Sequence, residues 1–252
     1  MESLKLDKNS LPKSKLGKGC LGCFGLIVVL AVIGILAGGG DDNKTVSTNQ
    51  STTPAPVTQS EPAKQPEPVK TPDPIALSGA GQQASKKFTL TKGLSVFKMS
   101  HSGSANFAPI LMDGDGNRVE LLANDIGVFQ GSKAVGIARE GEYLIDITAS
   151  GKWTITIEQP RDTTAPATTS LTGQGQQATA LFSLKKGLVT FKMTHEGQSN
   201  WAPILLDNNG SRVELLANEI GNFDGSKAVR ISRDGIYLLD VTADGNWTFT
   251  IE

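Results

Sequence analysis

Apolar residues follow two patterns along the chain. From Cys20 to Gly40 they form one uncharged run, CLGCFGLIVVLAVIGILAGGG. From about residue 77 onward they alternate with polar residues in short stretches that glycine, asparagine and aspartate interrupt. Such alternation is typical of half-buried strands and not of helices. The sequence therefore predicts an apolar helix near the N-terminus and an all-β remainder.

The β part of the chain consists of one module that occurs twice. Residues 77–158 align with residues 171–252 at a constant offset of 94, and roughly fifty of about eighty positions are identical. In the first copy the pattern predicts seven strands, at residues 85–90, 94–101, 107–113, 118–123, 133–138, 143–148 and 153–158. Seven strands in about eighty residues indicate a β-sandwich. We therefore expect two tandem β-sandwich modules.

The two-residue period of a strand divides each module into an inner and an outer set. The predicted inner set of the first copy is Phe97, Met99, Ala108, Ile110, Met112, Val119, Leu121, Val135, Ile137, Tyr143, Ile145, Ile147, Trp153, Ile155 and Ile157. The predicted outer set is Lys98, Arg118, Glu120, Asp146 and Thr148. Trp153 and Trp247 share the period of the inner isoleucines, so core packing is expected for both.

The uncharged run of residues 20–40 is long enough to cross a membrane. At about 1.5 Å per residue, about twenty helical residues span a hydrocarbon core of ~30 Å. Five lysines and two acidic residues precede Gly19, a net charge of +3, which leaves −4 for the rest of the chain. By the positive-inside rule, residues 1–19 are expected in the cytoplasm and everything after Gly40 outside it, with the lipid bilayer around residues 20–40. A cleaved signal peptide, with Ala37 and Gly39 at the cleavage site, is the alternative.

Residues 41–76 and residues 159–170 have the composition of linkers. The first segment is rich in Thr, Ser, Gln and Pro, buries too little apolar area to fold, and is predicted to be a disordered stalk. The second, QPRDTTAPATTS, is predicted to be a short joint. It has almost no large apolar residue that could hold the modules together. We therefore expect the modules to fold separately and to reorient freely.

Composition excludes several classes of function. Beyond its basic head the chain is mildly acidic and has no Lys/Arg stripe, so nucleic acid is not an expected partner. Both cysteines, Cys20 and Cys23, lie at the start of the apolar run, so neither module can hold a disulfide or a cysteine nucleophile. Each module has one histidine, and no nucleophile, base and orienting group stand out together. We expect neither an enzyme nor a cofactor; acylation of the two cysteines is an alternative to two plain thiols.

His101 and His195 are the histidines of the two modules and occupy the same position in each. Alternation places both on the inner face at the end of a strand. A rim histidine held by one ring-nitrogen hydrogen bond is one interpretation, and a ligand contact is the other. A zinc site is not expected, because zinc needs three or four donors and no second histidine lies within a module.

The turn after the central strand imitates the start of a calcium loop in one copy. It reads Asp113-Gly-Asp115-Gly-Asn117 in the first module but Asp207-Asn-Asn-Gly-Ser211 in the second. Neither copy has the acidic twelfth residue that a calcium loop requires. We therefore expect a hairpin turn that needs a positive φ, and no metal.

Phe107 and Trp201 are the candidates for ligand stacking. Alternation places them on the face opposite Ile110 and Ile204, where an exposed ring could stack on a sugar. A strand that is apolar on both faces would give the same pattern.

The order of motifs resembles a known type of module. Each copy contains F-x-L-x-x-G-L-x-x-F-K-M, N-[FW]-A-P-I-L, G-S-K-A-V and G-x-Y-L-x-D-[IV]-T-A-x-G-x-W-T-x-T-I. Over residues 88–157 and 182–251 this resembles the jelly-roll β-sandwich modules of secreted and surface bacterial proteins, especially the pre-peptidase C-terminal type. The resemblance implies an accessory, non-catalytic module. Where that type has an acidic residue before its central strand, this chain has Asn106 and Asn200, which argues against a carboxylate-based ligand site.

Two functions fit these features. The first is a membrane-anchored binding or sensing protein of the cell exterior, whose duplicated modules give avidity for a repeated ligand such as an envelope or extracellular glycan. Its candidate ligand residues are Phe107, Trp201, Asn106, Asn200, His101 and His195. The second is a structural spacer or protein-interaction extension without a ligand site. Exposure of the two aromatic residues would favour binding, and their burial would favour the spacer.

Overall fold

The structure is a computed structural model that describes residues 70–252. The predicted cytoplasmic head, the apolar helix of residues 20–40 and the stalk up to residue 69 lie outside the described residues. Among residues 70–252, no helix is long and apolar enough to cross a membrane. Both repeats belong to one unit of the chain.

Strands and turns make up the described part of the chain, which confirms the all-β prediction for residues 70–252. The first module contains β1 (Ile75–Ala80), β2 (Gln83–Ala84), β3 (Phe88–Leu90), β4 (Gly93–Asp113), β5 (Arg118–Leu121), β6 (Asp125–Ile137), β7 (Gly141–Thr148) and β8 (Lys152–Glu158). The second contains β9 (Ser170–Gln174), β10 (Gln177–Ala178), β11 (Phe182–Leu184), β12 (Gly187–Glu196), β13 (Asn200–Asp207), β14 (Arg212–Leu215), β15 (Glu219–Ile220), β16 (Phe223–Ile231), β17 (Gly235–Thr242) and β18 (Asn246–Ile251).

Each module is a sandwich of two antiparallel sheets. In the first module the front sheet has the order β6, β4, β8, β1, and the back sheet has the order β5, β4, β7, with β2 and β3 both pairing β7. The long strand β4 serves both sheets: up to His101 it pairs with β8, and from Ala108 onward it pairs with β7. The second module repeats this order with β16, β12, β18, β9 in front and β14, β13, β17, β10 behind. Both modules are therefore β-sandwiches of the same sheet order.

The inner set of each module is buried as a separate core. In the first module Phe97, Ile145 and Ile155 are fully buried, as alternation predicts. Tryptophan packs in both cores, and the indole N–H of Trp153 donates to the Gly81 carbonyl at 3.1 Å. The corresponding bond joins Trp247 to Gly175 at 3.0 Å.

The predicted inner set is wrong in β5 and in the second half of β4. Phe107 and Leu111 are fully buried, whereas Ala108, Ile110 and Met112 point outward and are half-buried. Val119 is 39% exposed, and Leu122, just after β5, is buried in its place. The error arises because this strand is apolar on both faces, so alternation alone cannot choose between them.

The two modules pack directly against each other. The outer surface of the first front sheet meets the outer surface of the second back sheet, and we call this contact the intermodule interface. Its buried apolar members are Leu94, Ala134, Leu206 and Leu238, with Val96, Ala178, Leu181 and Ile204 packed around them. The expectation that the modules reorient freely is therefore wrong, because the sheet surfaces and not the linker make the contact.

A buried ion pair lies within the intermodule interface. Lys133 Nζ is 2.7 Å from Asp240 Oδ2, and the two side chains are 14% and 4% exposed. The other carboxylate oxygen of Asp240 accepts a hydrogen bond from the Ala134 N–H at 2.9 Å. The Ser132 N–H donates to the Gln176 carbonyl at 3.0 Å. Because β6 is an edge strand, the second module covers backbone groups that would otherwise be open to pairing.

The linker of residues 159–170 begins as part of the same assembly. Gln159 is 3% exposed, and its side-chain oxygen accepts hydrogen bonds from the N–H and the hydroxyl of Thr91 at 2.8 and 2.9 Å. Arg161 donates to the carbonyl of Leu94 at 2.8 Å. The linker thus contacts Leu94 of the intermodule interface through the polar side chain of Arg161. The scarcity of apolar residues in the linker could not predict this contact.

Candidate functional site

Phe107 and Trp201 do not form a sugar-stacking platform. Both are 0% exposed. Each stacks on the histidine of its own module, Phe107 on His101 at 4.8 Å between ring centroids and Trp201 on His195 at 4.9 Å. The hypothesis of exposed aromatic rings is wrong. The strand that carries each ring is apolar on both faces, and its aromatic face is the one that points into the core.

His101 is a buried rim residue with both ring nitrogens engaged. Its Nδ1 lies 2.7 Å from the Gly127 carbonyl, and its Nε2 accepts a hydrogen bond from the Gly151 N–H at 3.2 Å. The carbonyl requires a proton on Nδ1 and the amide requires a lone pair on Nε2, so the ring is the neutral Nδ1–H tautomer. Both ring nitrogens of His101 thus have partners within the module, whereas the rim interpretation expects a single hydrogen bond.

His195 makes the same first contact but a different second one. Its Nδ1 lies 2.8 Å from the Gly221 carbonyl, while its Nε2 lies 3.3 Å from a carboxylate oxygen of Asp244. At that distance Nε2 has no aligned hydrogen bond among the described residues. Asp244 occupies the place of Ser150 in the first module. The two copies therefore differ in charge at this position.

Asp244 is held as an anion by backbone donors. Burial opposes ionisation, but hydrogen bonds from the N–H groups of Gln198 and Ser199, both 2.9 Å long, outweigh burial and hold the pKa of the carboxyl below its ordinary value. The negative charge thus stays beside the ring edge of His195.

Asn106 and Asn200 lie exposed at the rim, next to the aromatic residues in sequence but on the opposite side of the strand. Across the ladder they face Ile126 and Ile220. The structure therefore does not bring the six predicted ligand residues together into one open site, because four of them are buried.

The calcium-like turns are closed by their own first aspartate. Asp113 accepts hydrogen bonds from the N–H groups of Asp115 and Asn117 at 3.1 and 2.8 Å. Hydrogen bonds from the side chain and backbone of Asn117 hold the pKa of the Asp113 carboxyl below its ordinary value. Gly116 adopts a φ of 86°, as a hairpin turn of this kind requires. No group of three or more metal-ligating side chains occurs among residues 70–252.

A groove of about 970 Å³ opens between the modules, and we call it the intermodule groove. Its lining is polar for the most part: Lys98, Met99, Ser100, Asp125, Val128, Phe129, Gln130, Gly131, Ser132, Thr154, Thr156, Gln174, Gly175, Gln176, Gln177, Ala243 and Asp244. The floor is the outer face of the first front sheet, and one wall is the β9–β10 turn of the second module. Both modules are needed to form it.

Hydroxyl and amide groups dominate the chemistry of this groove. Ser100 and Thr154 share a hydrogen bond of 2.7 Å across the floor. Gln130 and Gln174 are exposed on the two sides, and each amide offers donors and an acceptor. The sequence shows these polar residues only as the outer set of their strands, so the groove could not be found without the intermodule interface.

No protein-family model matches the sequence. No curated protein matches it either. Solved structures to which it is similar include the PBSX exported protein XepA, with 8% identity and a TM-score of 0.24 over 71% of this chain and 86% of that chain. Others are a fucolectin from the serum of striped bass, Morone saxatilis, with 10% identity and a TM-score of 0.23 over 70% and 84% of the chains, and the N-terminal CBM22-1-CBM22-2 tandem domain of Paenibacillus barcinonensis Xyn10C, with 8% and 0.22 over 73% and 84%.

At these identities and TM-scores the likeness assigns neither a family nor a ligand to this chain. The resemblance to the pre-peptidase C-terminal type stays a prediction.

Proposed function

We propose that the protein is a membrane-anchored binding protein of the cell exterior, which holds a hydroxyl-rich ligand such as an envelope glycan in the intermodule groove. The observation that supports this is the lining of the groove by amide and hydroxyl groups from both modules around about 970 Å³. One composite site then replaces the two independently moving sites that the repeat predicts.

The chemistry of the lining suits a neutral, hydroxylated ligand. Glutamine amides and threonine hydroxyls both donate and accept hydrogen bonds, as sugar hydroxyls do. A neutral hydrogen bond contributes about 0.5–1.5 kcal/mol net, whereas micromolar affinity requires about 8 kcal/mol. Several contacts must therefore act together, and a groove with walls from two modules can supply them.

Binding is tested with residues 75–252 on a glycan array and in a cell-wall pull-down. Replacing both Gln130 and Gln174 by alanine is expected to weaken binding by about 1–3 kcal/mol, on the order of 5- to 100-fold in Kd. Gln82→Ala, an exposed amide outside the groove, is the matched control and should bind as the wild type does. If a ligand binds the double variant with the same Kd as the wild type, the groove is not its binding site.

The membrane anchor and its orientation are part of the proposal and rest on the charge step across residues 20–40. Protease added to intact cells is expected to remove both modules and to leave a short anchored fragment. Complete protection of the modules in intact cells, with digestion after lysis, would show the opposite orientation.

A structural spacer is the second candidate, and the burial of Phe107 and Trp201 favours it. Two sandwiches packed into one stiff unit would extend the chain away from the membrane, or present a surface to another protein, without any ligand. This function predicts that both the array and the pull-down are negative. Reproducible capture of one glycan class by the wild type, lost in the double variant, would reject it.

A further inference from the structure

The intermodule interface joins unlike surfaces. The first module contributes the front-sheet surface around Leu94 and Ala134, and the second contributes the back-sheet surface around Leu206 and Leu238. Each module has both kinds of surface, so a head-to-tail contact between two equivalent modules leaves one front-sheet and one back-sheet surface uncovered. If the same contact formed between molecules, it would build an open chain of them. The two uncovered surfaces are the front sheet of the second module and the back sheet of the first.

Those two surfaces carry most of the same contact residues. At the offset of 94, Leu94, Ser132, Lys133 and Ala134 correspond to Leu188, Ser226, Lys227 and Ala228, and Gln176, Ala178, Leu238 and Asp240 correspond to Gln82, Ala84, Leu144 and Asp146. Leu188 is 73% exposed, whereas Leu94 is fully buried. The ingredients of a second interface are therefore present and uncovered among the described residues.

One contact position differs in a way that blocks the repeat. A Cβ atom on Gly136 would lie 2.5 Å from the carbonyl oxygen of Gly210, so the two backbones touch and no side chain fits between them. The residue that corresponds to Gly136 in the second module is Arg230, and Gly116 corresponds to Gly210. Arg230 cannot occupy the same close contact against Gly116.

A second difference points the same way. Leu181 packs against the apolar cluster of the interface, but its counterpart on the uncovered back sheet is the exposed Lys87. Charged residues on edges and outer faces are a known means of preventing sheets from associating. The shared residues are explained by duplication alone, so the changes that introduce a charged side chain, at Arg230 and Lys87, are the informative ones.

We infer that the uncovered front sheet of the second module and back sheet of the first are a latent docking pair for a second copy of this chain, held apart by Arg230 and Lys87. The wild-type chain makes the contact once, internally. Removing the two side chains opens the same contact between molecules, with Lys227 of one copy facing Asp146 of the next.

The test compares molar masses of the full chain in mild detergent by light scattering over a wide concentration range. The wild type is expected to keep a constant mass, and the Arg230→Gly/Lys87→Leu variant to grow with concentration to two or more chains. Adding Asp146→Lys should return the variant to the wild-type mass, because it sets like charges opposite Lys227. Arg212→Gly/Lys86→Leu, which removes the same residue types elsewhere, should behave as the wild type does.

Three results would overturn the inference: a folded double variant of constant mass, assembly that persists with Asp146→Lys, or growth of the wild type through these surfaces. If the double variant does not fold, Gly136→Arg in the wild-type chain tests the same steric claim. It is expected to separate the modules and to expose the Ala134 amide to hydrogen exchange. An amide that stays as protected as in the wild type would contradict the block.

Discussion

Replacing Asp240 by alanine tests the energetic role of the intermodule interface. Its carboxylate is 4% exposed and holds Lys133, 14% exposed, at 2.7 Å. Removing one partner of a buried ion pair costs about 3–5 kcal/mol, because the other charge is left without compensation. The variant also leaves the Ala134 N–H without its acceptor, a further loss of about 1 kcal/mol.

The expected loss lies at the lower end of this range. Lys133 keeps some exposure, so its ammonium can shift toward water and recover part of its hydration. We expect Asp240→Ala to lower the free energy of unfolding by about 3 kcal/mol, which moves a urea midpoint by about 1–3 M at the m-values of small proteins. The assay is urea denaturation of residues 75–252, followed by tryptophan fluorescence.

The repeat supplies a matched control. Asp146 holds the same position in the first module but is exposed, and Asp146→Ala should change stability by at most about 0.5 kcal/mol. Replacing both Lys133 by methionine and Asp240 by leucine removes the pair together, and should return most of the stability. The buried ion pair would be refuted as a stabilising contact by either of two results. One is an equal loss of stability in Asp240→Ala and Asp146→Ala, and the other is a loss below about 1 kcal/mol for Asp240→Ala.

Two further predictions concern the aromatic and acidic residues beside the histidines. Phe107→Ala and Trp201→Ala should each lower the free energy of unfolding by about 3–5 kcal/mol in urea denaturation, because both rings are fully buried; a loss of ligand binding at unchanged stability would contradict their place in the core. The pKa of Asp244 is lowered in the folded protein, so its carboxylate stabilises the fold at pH values above the ordinary pKa of about 3.9. This stabilisation is lost as the pH falls through the lower pKa of the folded state. The Tm difference between wild type and Asp244→Ser, the residue of the first module, should therefore vanish at low pH, and a difference independent of pH would contradict it.

Much of the fold follows from local pattern. Strands with one apolar face, such as those of Phe97, Ile145 and Ile155, are predicted correctly because alternation has a single solution there. The pattern fails around Ile110, where both faces of β4 are apolar. In the second module the outward residues of the corresponding strand, Ile204 and Leu206, contact the other module, so the ambiguity marks a surface that is buried by tertiary contact.

The candidate site was much less predictable. Exposed apolar residues and a polar outer face can be read from single strands, but the groove depends on which surfaces of the two modules meet. That choice rests on the backbone contact of Gly136 with Gly210 and on the pair of Lys133 with Asp240, residues more than seventy positions apart. The composition of the linker predicts modules that move freely, because the linker has almost no large apolar residue. In the structure the module surfaces make the contact, and the linker only joins them.

Hydrogen exchange at one backbone amide tests the packing of the two modules most directly. The Ala134 N–H donates to Asp240 of the other module at 2.9 Å, while Ala228 holds the same position in edge strand β16 and has no second module against it among the described residues. If the interface contributes about 3 kcal/mol, Ala134 should exchange about 100-fold more slowly than Ala228 after correction for intrinsic rates. Equal protection of the two amides would show that the modules move independently and that no groove persists between them.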